Sequence, residues 1–382
     1  MIADDQEVID LLADLVRIDS SNPDLVPGSP GETQIAQYIS GWFAARSFEV
    51  HLLEKNLGRP SIVGIGRGSG GGRTLMLNGH IDTVSLGSYQ GAALNPEIRD
   101  GNMYGRGTFD MKGGIAAMMV AAHRAHQQGT KGDILVACVA DEEAASFGTS
   151  EVLEHFHADG GLVIEPSYLQ VTLSHKGFAW FEVTIHGLAA HGSRPELGID
   201  AIAKAGHFLV ALEEYALHLT QRPGHPRLGF GTVHASLIKG GEEASSYPAT
   251  CTITVERRTI PGETAATVTV ELLEILDRIS ANVPDFEYAL APGLSRLPFQ
   301  ADPKSEIVKI TLAHVETVLG EPPVVRAEPF WTDCALLDAA GIPCLLFGVD
   351  GGGAHAATEW VTLESLAIVA RALTSIAVDF CN

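Results

Sequence analysis

Basic residues are scarce in this sequence. Its 382 residues include 25 lysines and arginines against 47 aspartates and glutamates, which gives a formal net charge of −22 at pH 7. Most faces of so acidic a protein would repel a polyanion such as nucleic acid. We therefore predict no nucleic-acid partner.

Long apolar runs, an export signal and paired cysteines are also missing. No stretch reaches the roughly 18 apolar residues that a membrane-spanning helix needs, and no basic region precedes an apolar stretch near the start. The cysteines are few and scattered, which is typical of reduced thiols in a cytosol. They are Cys138, Cys251, Cys334, Cys344 and Cys381. We predict a cytoplasmic protein with no membrane partner.

The glycine-rich residues 66–72 lack the consecutive lysine and serine or threonine that end a phosphate-binding loop. We interpret this stretch as a flexible hairpin connection between two strands.

Apolar periodicity indicates a main domain of the α/β class. A chain of this length favours two domains over one core. Amphipathic helices are predicted at residues 8–16 and 35–43, and a helix at residues 111–128 would connect two parallel strands. Short buried strands are predicted at residues 61–65, 74–77, 133–139, 161–164 and 343–347. We expect a mixed, mainly parallel central sheet flanked by helices.

Between these segments the pattern changes to strand, helix, strand, strand, helix, strand. The predicted elements are residues 178–185, 199–219, 231–238, 250–256, 264–279 and 286–289. Such a β-α-β-β-α-β run forms a ferredoxin-like sandwich. We predict that residues 1–177 and 292–382 form the main domain and that residues 178–291 form an inserted α+β domain.

Acids and imidazoles follow several of the predicted strands, at the sheet edge where α/β proteins bind ligands. His80 and Asp82 are two apart, so that an imidazole could bind a metal ion while a carboxylate orients it. Glu165 follows another strand, and His355 follows a glycine loop that allows close backbone approach.

Two acidic segments complete the pattern. Asp110 precedes a predicted helix, where it could bridge two metal ions or merely cap the helix. Glu142 and Glu143 belong to a run of three acids that repel one another unless a cation holds them, although a solvated acidic turn is the alternative. Together, the strand ends and the helix start supply an inventory that suits two divalent ions: His80, Asp110, Glu143, Glu165 and His355.

These motifs resemble the di-zinc metallopeptidase family that contains acetylornithine deacetylase, succinyl-diaminopimelate desuccinylase, aminoacylase-1 and glutamate carboxypeptidase. The resemblance spans the chain in the family's order, through Gly-His-Ile-Asp-Thr-Val, Gly-Arg-Gly-Thr-Phe-Asp-Met-Lys-Gly-Gly, Asp-Glu-Glu and the final histidine loop. It implies two divalent ions per subunit, with zinc expected and cobalt or manganese as alternatives.

The resemblance also implies a role for each residue. His80 and Glu165 would bind one ion, Glu143 and His355 the other, and Asp110 both. Asp82 would orient His80, Glu142 would act as the catalytic base, and a cis peptide bond would follow Asp110.

The inserted domain would be a lid and dimerisation domain, which predicts a homodimer. His191 would reach the neighbouring subunit's site and steady the oxyanion, although a loop histidine can also be inert. Arg258 would grip the substrate's carboxylate, although it could equally be a surface arginine at a strand end.

The function that the resemblance implies is hydrolysis of the amide bond in a small N-acyl amino acid, as in acetylornithine deacetylase. A desuccinylase, or a dipeptidase or carboxypeptidase acting on short peptides, would use the same metals. Residues 245–248 and 330–333 depart from the family's pattern, which loosens the substrate assignment. The rivals from outside this group are a catalytically silent binding or scaffold relative, and an aminopeptidase-type exopeptidase without the insert.

Overall fold

The computed structural model describes residues 3–382, and it describes side chains from residue 5 onward. The helices in this part of the chain are α1 (Ala3–Val16), α2 (Thr33–Ala44), α3 (Lys112–Gln128), α4 (Phe147–His155), α5 (Ala201–Gln221), α6 (Ala265–Asn282), α7 (Glu306–Leu319), α8 (Cys334–Ala339) and α9 (Leu363–Phe380). None of these helices is both long enough and apolar enough to cross a membrane.

The strands number from β1 to β17 in chain order. They are β1 (Glu49–Leu53), β2 (Ser61–Gly66), β3 (Leu75–His80), β4 (Glu97–Arg99), β5 (Asn102–Tyr104), β6 (Ile134–Val139), β7 (Gly160–Val163), β8 (Val171–His175), β9 (Gly177–His186), β10 (Thr232–Gly240), β11 (Thr250–Thr259), β12 (Glu287–Arg296), β13 (Phe299–Gln300), β14 (Val325–Glu328), β15 (Cys344–Leu346), β16 (Gly351–Gly352) and β17 (Trp360–Thr362).

The chain divides into two compact units. Unit 1 contains the residues up to Leu173 together with Ala301–Arg326 and Thr332–Asn382, and unit 2 contains Ser174–Gln300 and Ala327–Trp331. The insert predicted over residues 178–291 lies within unit 2, and its status as a separate domain stays a prediction.

The core of unit 1 is a sheet whose strands run in the order β1-β2-β6-β3-β7-β15-β8. Its central strands β6, β3, β7 and β15 are parallel, whereas β1, β2 and β8 pair antiparallel with their neighbours. Every residue of β2, β3, β6 and β7 is buried, because helices cover the sheet. The predicted α/β fold with a mixed, mainly parallel sheet is confirmed.

The glycine-rich stretch after β2 does not form the hairpin that we predicted. Strands β2 and β3 lie on opposite sides of β6, so this connection crosses β6 instead of pairing its own two strands. It passes close to other backbone: a Cβ atom on Gly72 would stand 2.0 Å from the carbonyl oxygen of Cys381 and 2.3 Å from the amide nitrogen of Gly132. Glycine is needed here because nothing larger fits.

A small sheet in unit 1 joins β16, β17, β5 and β4 in that order. Trp360 pairs with Tyr104 in its register. The segment that follows β5 and the segment that precedes β17 therefore run side by side, although about 250 residues separate them in the sequence. Nothing in the local sequence pattern predicted this sheet.

Unit 2 contains the antiparallel sheet β10-β11-β9-β12 with α5 and α6 on one face. The chain order β9, α5, β10, β11, α6, β12 is the predicted β-α-β-β-α-β run. Alternate residues of β9, among them Phe181, Val183 and Ile185, pack against the helices in a core of their own. Asp200 caps the start of α5, and a capping box at Thr264 starts α6.

We expect Gly72→Ala to lower the stability of the protein by about 1–3 kcal/mol, because its methyl group overlaps backbone atoms that cannot move aside independently. Gly41→Ala is the matched control, since a Cβ atom on Gly41 in helix α2 meets nothing within 4 Å. That substitution should stabilise the helix by about 0.5–1 kcal/mol. Thermal unfolding followed by circular dichroism would measure both, and equal melting temperatures for the two variants would contradict this packing.

Candidate metal centre

Three adjacent parallel strands deliver acids and an imidazole to one edge of the central sheet. His80 is the last residue of β3, residues 141–143 follow β6, and Glu165 lies two residues beyond β7. Because β6, β3 and β7 are parallel neighbours, their carboxyl ends meet. Asp110 joins them from the turn before α3, and His355 from the loop after β16.

The imidazole of His80 is buried and oriented on both sides. Its Nε2 atom lies 3.2 Å from Oδ1 of Asp110 and 3.4 Å from Oε1 of Glu165. Its Nδ1 atom lies 3.0 Å from the backbone carbonyl oxygen of Asp82 and 3.5 Å from a carboxylate oxygen of the same residue. Nδ1 can therefore donate its proton to Asp82, which leaves Nε2 as a metal ligand.

The imidazole of His355 faces the other side of Asp110. Its Nε2 atom lies 3.4 Å from Oδ2 of Asp110 and 3.1 Å from Oε2 of Glu143. His355 adopts a φ of 60°, which is uncommon for a residue with a side chain. It follows Gly353, where a Cβ atom would stand 1.8 Å from the carbonyl oxygen of Thr358. The glycine loop thus lets the backbone turn tightly enough to aim His355 at Asp110.

Asp110 consequently presents one carboxylate oxygen to each imidazole. Two ligands on one tetrahedral ion, each about 2.0–2.1 Å away from it, lie about 3.3–3.4 Å apart. The four nitrogen–oxygen separations here span 3.1 to 3.4 Å. Nitrogen and carboxylate ligands at these separations fit two divalent ions that share Asp110. A cis peptide bond joins Asp110 to Met111, as predicted.

Two overlapping groups of side chains are close enough to hold an ion. One is His80 with Asp110 and Glu143, and the other is His80 with Glu142 and Glu165. Glu142, which we predicted as the catalytic base, therefore lies within ligand distance of the same centre. The structure brings together all five side chains that we predicted as ligands.

The protonation of this cluster depends on compensating charges. Burial raises the pKa values of Glu142, Glu143 and Glu165, and neighbouring carboxylates raise them further. Hydrogen bonds to Asp110 and Glu143 raise the pKa of His355 to about 10. So many carboxylates in one buried place need either bound protons or a cation. A divalent ion would supply that positive charge.

Asp82 has more partners than the sequence suggested. Its carboxylate accepts the backbone N–H groups of Glu142 and Glu143, each at 3.2 Å, in addition to facing His80. The side-chain amide of Asn22 donates to it at 2.8 Å. Burial acts to raise the pKa of Asp82, but His80 and Asn22 outweigh it and hold the pKa below its usual value. Asp82 therefore positions both a predicted ligand and the predicted base.

Behind Asp82 lies a buried network of charges that sequence reasoning missed. The amide of Asn22 also donates to Asp141 at 3.0 Å. Arg59 donates to Asp141 at 2.9 Å and binds both carboxylate oxygens of Glu32 at 2.5 and 2.7 Å. These contacts join residues 27 to 119 positions apart, so no local pattern marked them.

The other two predicted site residues lie in unit 2. His191 is exposed on a loop, where its Nδ1 atom lies 2.8 Å from the hydroxyl of Ser193. Arg258 lies on β11, is paired with Glu256 and stands over the ring of Phe178 at 5.5 Å. Its side chain is 35% exposed, whereas that of the neighbouring Arg257 is fully buried. Of the two arginines, Arg258 is therefore the one that a ligand can reach.

Comparison with known proteins gives a family model and many relatives. The model of peptidase family M20/M25/M40 matches residues 76–379. The chain is 30% identical over 328 residues to an acetylornithine deacetylase of Myxococcus xanthus, covering 84% of each chain. It is 25% identical over 384 residues to the N-formyl-4-amino-5-aminomethyl-2-methylpyrimidine deformylase of Bacillus subtilis, covering 91% of this chain and 89% of that one. A probable succinyl-diaminopimelate desuccinylase of Staphylococcus epidermidis is 28% identical over 395 residues, covering 94% of each.

Solved structures with the same fold cover nearly the whole chain. The aminopeptidase PepT of Bacillus cereus superposes with a TM-score of 0.80 at 18% identity, over 99% of both chains. A dinuclear metal-binding peptidase of Bacillus subtilis superposes with a TM-score of 0.77 at 16% identity, again over 99% of both chains. At these identities the likeness shows the fold alone.

We expect the purified protein to bind two divalent ions per chain. His355→Ala should lose one ion and keep the other, because only one side of Asp110 loses its imidazole. Asp110→Ala should weaken both. Metal content after dialysis, measured by mass spectrometry, would check this.

His314→Ala is the matched control, since His314 pairs with Asp379 at 2.9 Å outside the cluster. It should keep both ions. Loss of both ions from His355→Ala, or of neither from Asp110→Ala, would contradict a shared aspartate.

Proposed function

Because the chain belongs to peptidase family M20/M25/M40, we propose that it is a metal-dependent hydrolase that cleaves the amide bond of an N-acyl amino acid. One observation carries the proposal: the two oxygens of Asp110 face two different imidazoles, each accompanied by a glutamate. A shared carboxylate of this kind is suited to a pair of cations.

The residues divide between the two ions as follows. His80 and Glu165 would hold one ion, Glu143 and His355 the other, and Asp110 both. When bound, the ions would polarise the scissile carbonyl group and acidify a water molecule. We propose zinc, since imidazole nitrogen and carboxylate oxygen are its usual ligands besides thiolate, with cobalt or manganese as alternatives.

Glu142 is the proposed general base. Its backbone N–H donates to Asp82, and its side chain lies close to those of His80 and Glu165. It is not one of the side chains that face the two oxygens of Asp110. It would take a proton from the attacking water as the new carbon–oxygen bond forms. It would then deliver that proton to the amide nitrogen as the carbon–nitrogen bond breaks.

The proposed substrate contacts come from unit 2. Arg258 would bind the substrate's carboxylate, which its partly exposed side chain permits, although the guanidinium group pairs with Glu256 in this structure. His191 would donate a hydrogen bond to the oxyanion that develops in the neighbouring subunit's site, which its exposed position on a loop permits. Both roles rest on the resemblance of the surrounding motifs.

We propose acetylornithine deacetylase-like activity as the leading substrate assignment. The 30% identity to such an enzyme supports it. Desuccinylase and dipeptidase or carboxypeptidase activity remain the alternatives, and relatives that remove succinyl and formyl groups show how far acyl groups differ among similar chains. A catalytically silent relative is disfavoured, because a pure binder would not need the free carboxylate of Glu142.

We expect the metal-loaded protein to hydrolyse at least one member of a panel of acetylornithine, succinyl-diaminopimelate, N-formyl and N-acetyl amino acids, and dipeptides. Glu142→Gln should lower kcat by roughly 10²–10⁴-fold while both ions stay bound, because only proton transfer is lost. The exposed Glu97→Gln is the control and should behave like the wild type.

Each outcome of this assay separates the hypotheses. Full activity in Glu142→Gln would remove the role proposed for that residue. A wild-type protein that binds two ions but hydrolyses nothing in the panel would favour a binding or scaffold role.

We also propose that unit 2 mediates a homodimer. Strand β10 is an edge of its sheet, and Leu237 and Ile238 on it are 69% and 57% exposed. On helix α5, Val210 and Leu217 are each 60% exposed. An unpaired strand edge is a template for pairing with another chain, and a large exposed apolar patch marks an interaction surface. A second copy is the simplest partner, because a twofold axis can pair the same edge with itself.

We expect the wild type to sediment as a dimer at micromolar concentration. The double variant Leu217→Glu with Leu237→Glu should sediment as a monomer, because it places charge on the proposed interface. Leu57→Glu is the control: Leu57 is 94% exposed but lies in unit 1. A monomeric wild type, or dissociation caused by Leu57→Glu alone, would contradict this interface.

A further inference from the structure

We propose that Glu359 is a positioning residue for the metal centre, which fixes the backbone that carries Asp110 and so sets where this carboxylate stands between its two imidazoles. The inference rests on the proposed function. Glu359 does not face the cluster itself; it acts through the segment before α3.

Both carboxylate oxygens of Glu359 are fully used. Oε1 accepts the backbone N–H groups of Phe109 and Asp110, each at 3.0 Å. Oε2 accepts the backbone N–H of Gly107 at 2.9 Å and the guanidinium group of Arg106 at 2.8 Å. The Glu359 and Arg106 side chains are each only 1% exposed. Charge-assisted hydrogen bonds of this kind are strong, and here solvent does not compete with them.

These contacts orient a short run of peptide groups. Three N–H groups within four residues point at one carboxylate, so the peptide planes around Phe109 and Asp110 cannot rotate without losing a hydrogen bond. The Asp110 side chain extends from this held backbone. A buried carboxylate is costly unless it is paired, and Arg106 supplies the positive charge.

The same pair of residues ties the segment back to the turn that contains His355. Arg106 donates through its other terminal nitrogen to the carbonyl oxygen of Ala356 at 3.0 Å. The backbone N–H of Gly105 donates to the carbonyl oxygen of Glu359 at 3.2 Å. Residues 355–359 thus carry both the imidazole of His355 and the carboxylate of Glu359 that holds the backbone of Asp110. Across this connection, Oδ2 of Asp110 lies 3.4 Å from Nε2 of His355.

Glu359→Gln is the sharpest test, because it changes two hydrogen-bond acceptors into one acceptor and one donor without changing size. Whichever way the amide is rotated, its NH₂ group faces two other donors. These are either Arg106 and the N–H of Gly107, or the N–H groups of Phe109 and Asp110. The segment must shift to relieve that contact.

We expect Glu359→Gln to bind both Zn²⁺ ions roughly 10- to 100-fold more weakly than the wild type, since partners behind a ligand affect metal affinity to this extent. Competition with a chelator would measure the affinities. Hydrogen–deuterium exchange in the metal-free protein should also be faster in peptides that cover residues 105–111. This second measurement needs neither activity nor a bound ion.

Glu151→Gln is the matched control. Glu151 is another carboxylate in unit 1 that accepts a backbone N–H, from Lys55 at 2.8 Å, and it is 6% exposed. Its substitution should leave metal affinity and exchange at residues 105–111 unchanged. An equal loss of metal affinity in both variants would indicate a general destabilisation of the protein and would overturn the inference.

Further outcomes are decisive as well. If Glu359→Gln does not accumulate in folded form, Glu359→Asp keeps the charge but is too short to reach all four donors, and the same losses are expected. Wild-type affinity for both ions in the folded variant would overturn the positioning role and leave the proposed function standing. A wild-type protein that binds no Zn²⁺ would overturn both.

Discussion

The sharing of Asp110 between two imidazoles is the interaction on which the rest of the site depends. One oxygen faces His80 and the other faces His355, and each imidazole is accompanied by a glutamate. The central sheet supplies one half of this arrangement through the ends of β3 and β7. The small sheet β16-β17-β5-β4 supplies the other half, because it brings the segments on either side of Asp110 and His355 together. Two separate sheets in unit 1 therefore converge on one carboxylate.

Several buried acids lie where positive charge would be bound. Glu142, Glu143, Glu165 and Asp110 lie together, and further acids lie behind them. Protein cations neutralise the outer acids, since Arg59 pairs with Asp141 and Arg106 pairs with Glu359. The acids of the cluster itself face His80 and His355 instead of arginines. A bound metal ion would replace the protons of these imidazoles as the source of positive charge. The arginines thus stabilise the surrounding structure, and the negative charge of the cluster is left for bound metal ions to compensate.

Sequence reasoning succeeded where function follows from local position. His80 ends an apolar strand and Glu143 and Glu165 follow two others, so the carboxyl edge of a parallel sheet brings them together. The predicted helices and strands of both units match the structure to within a few residues, apart from helix α1, which starts at Ala3 instead of residue 8, and strand β12, which is longer than predicted. The metal-binding roles, the dimer and the cytoplasmic location stay predictions.

Sequence patterns did not predict the features whose position depends on pairing between distant parts of the chain. Strand order placed β6 between β2 and β3, which no property of residues 66–72 could reveal. Asn22, Arg59 and Glu359 contact partners between 27 and 253 residues away, and an isolated asparagine, arginine or glutamate carries no local signal. The two-residue and three-residue strands of the small sheet are too short to show alternation.

Asp82 has a consequence for how variants of this protein should be interpreted. Its single carboxylate faces the His80 ring, accepts the N–H groups of Glu142 and Glu143, and accepts the amide of Asn22. Substitutions of groups joined in this way are expected to have free-energy effects that do not add. A kinetic defect in an Asp82 variant therefore cannot be assigned to its imidazole partner alone, and only double-mutant cycles with Glu142 and Asn22 would apportion it.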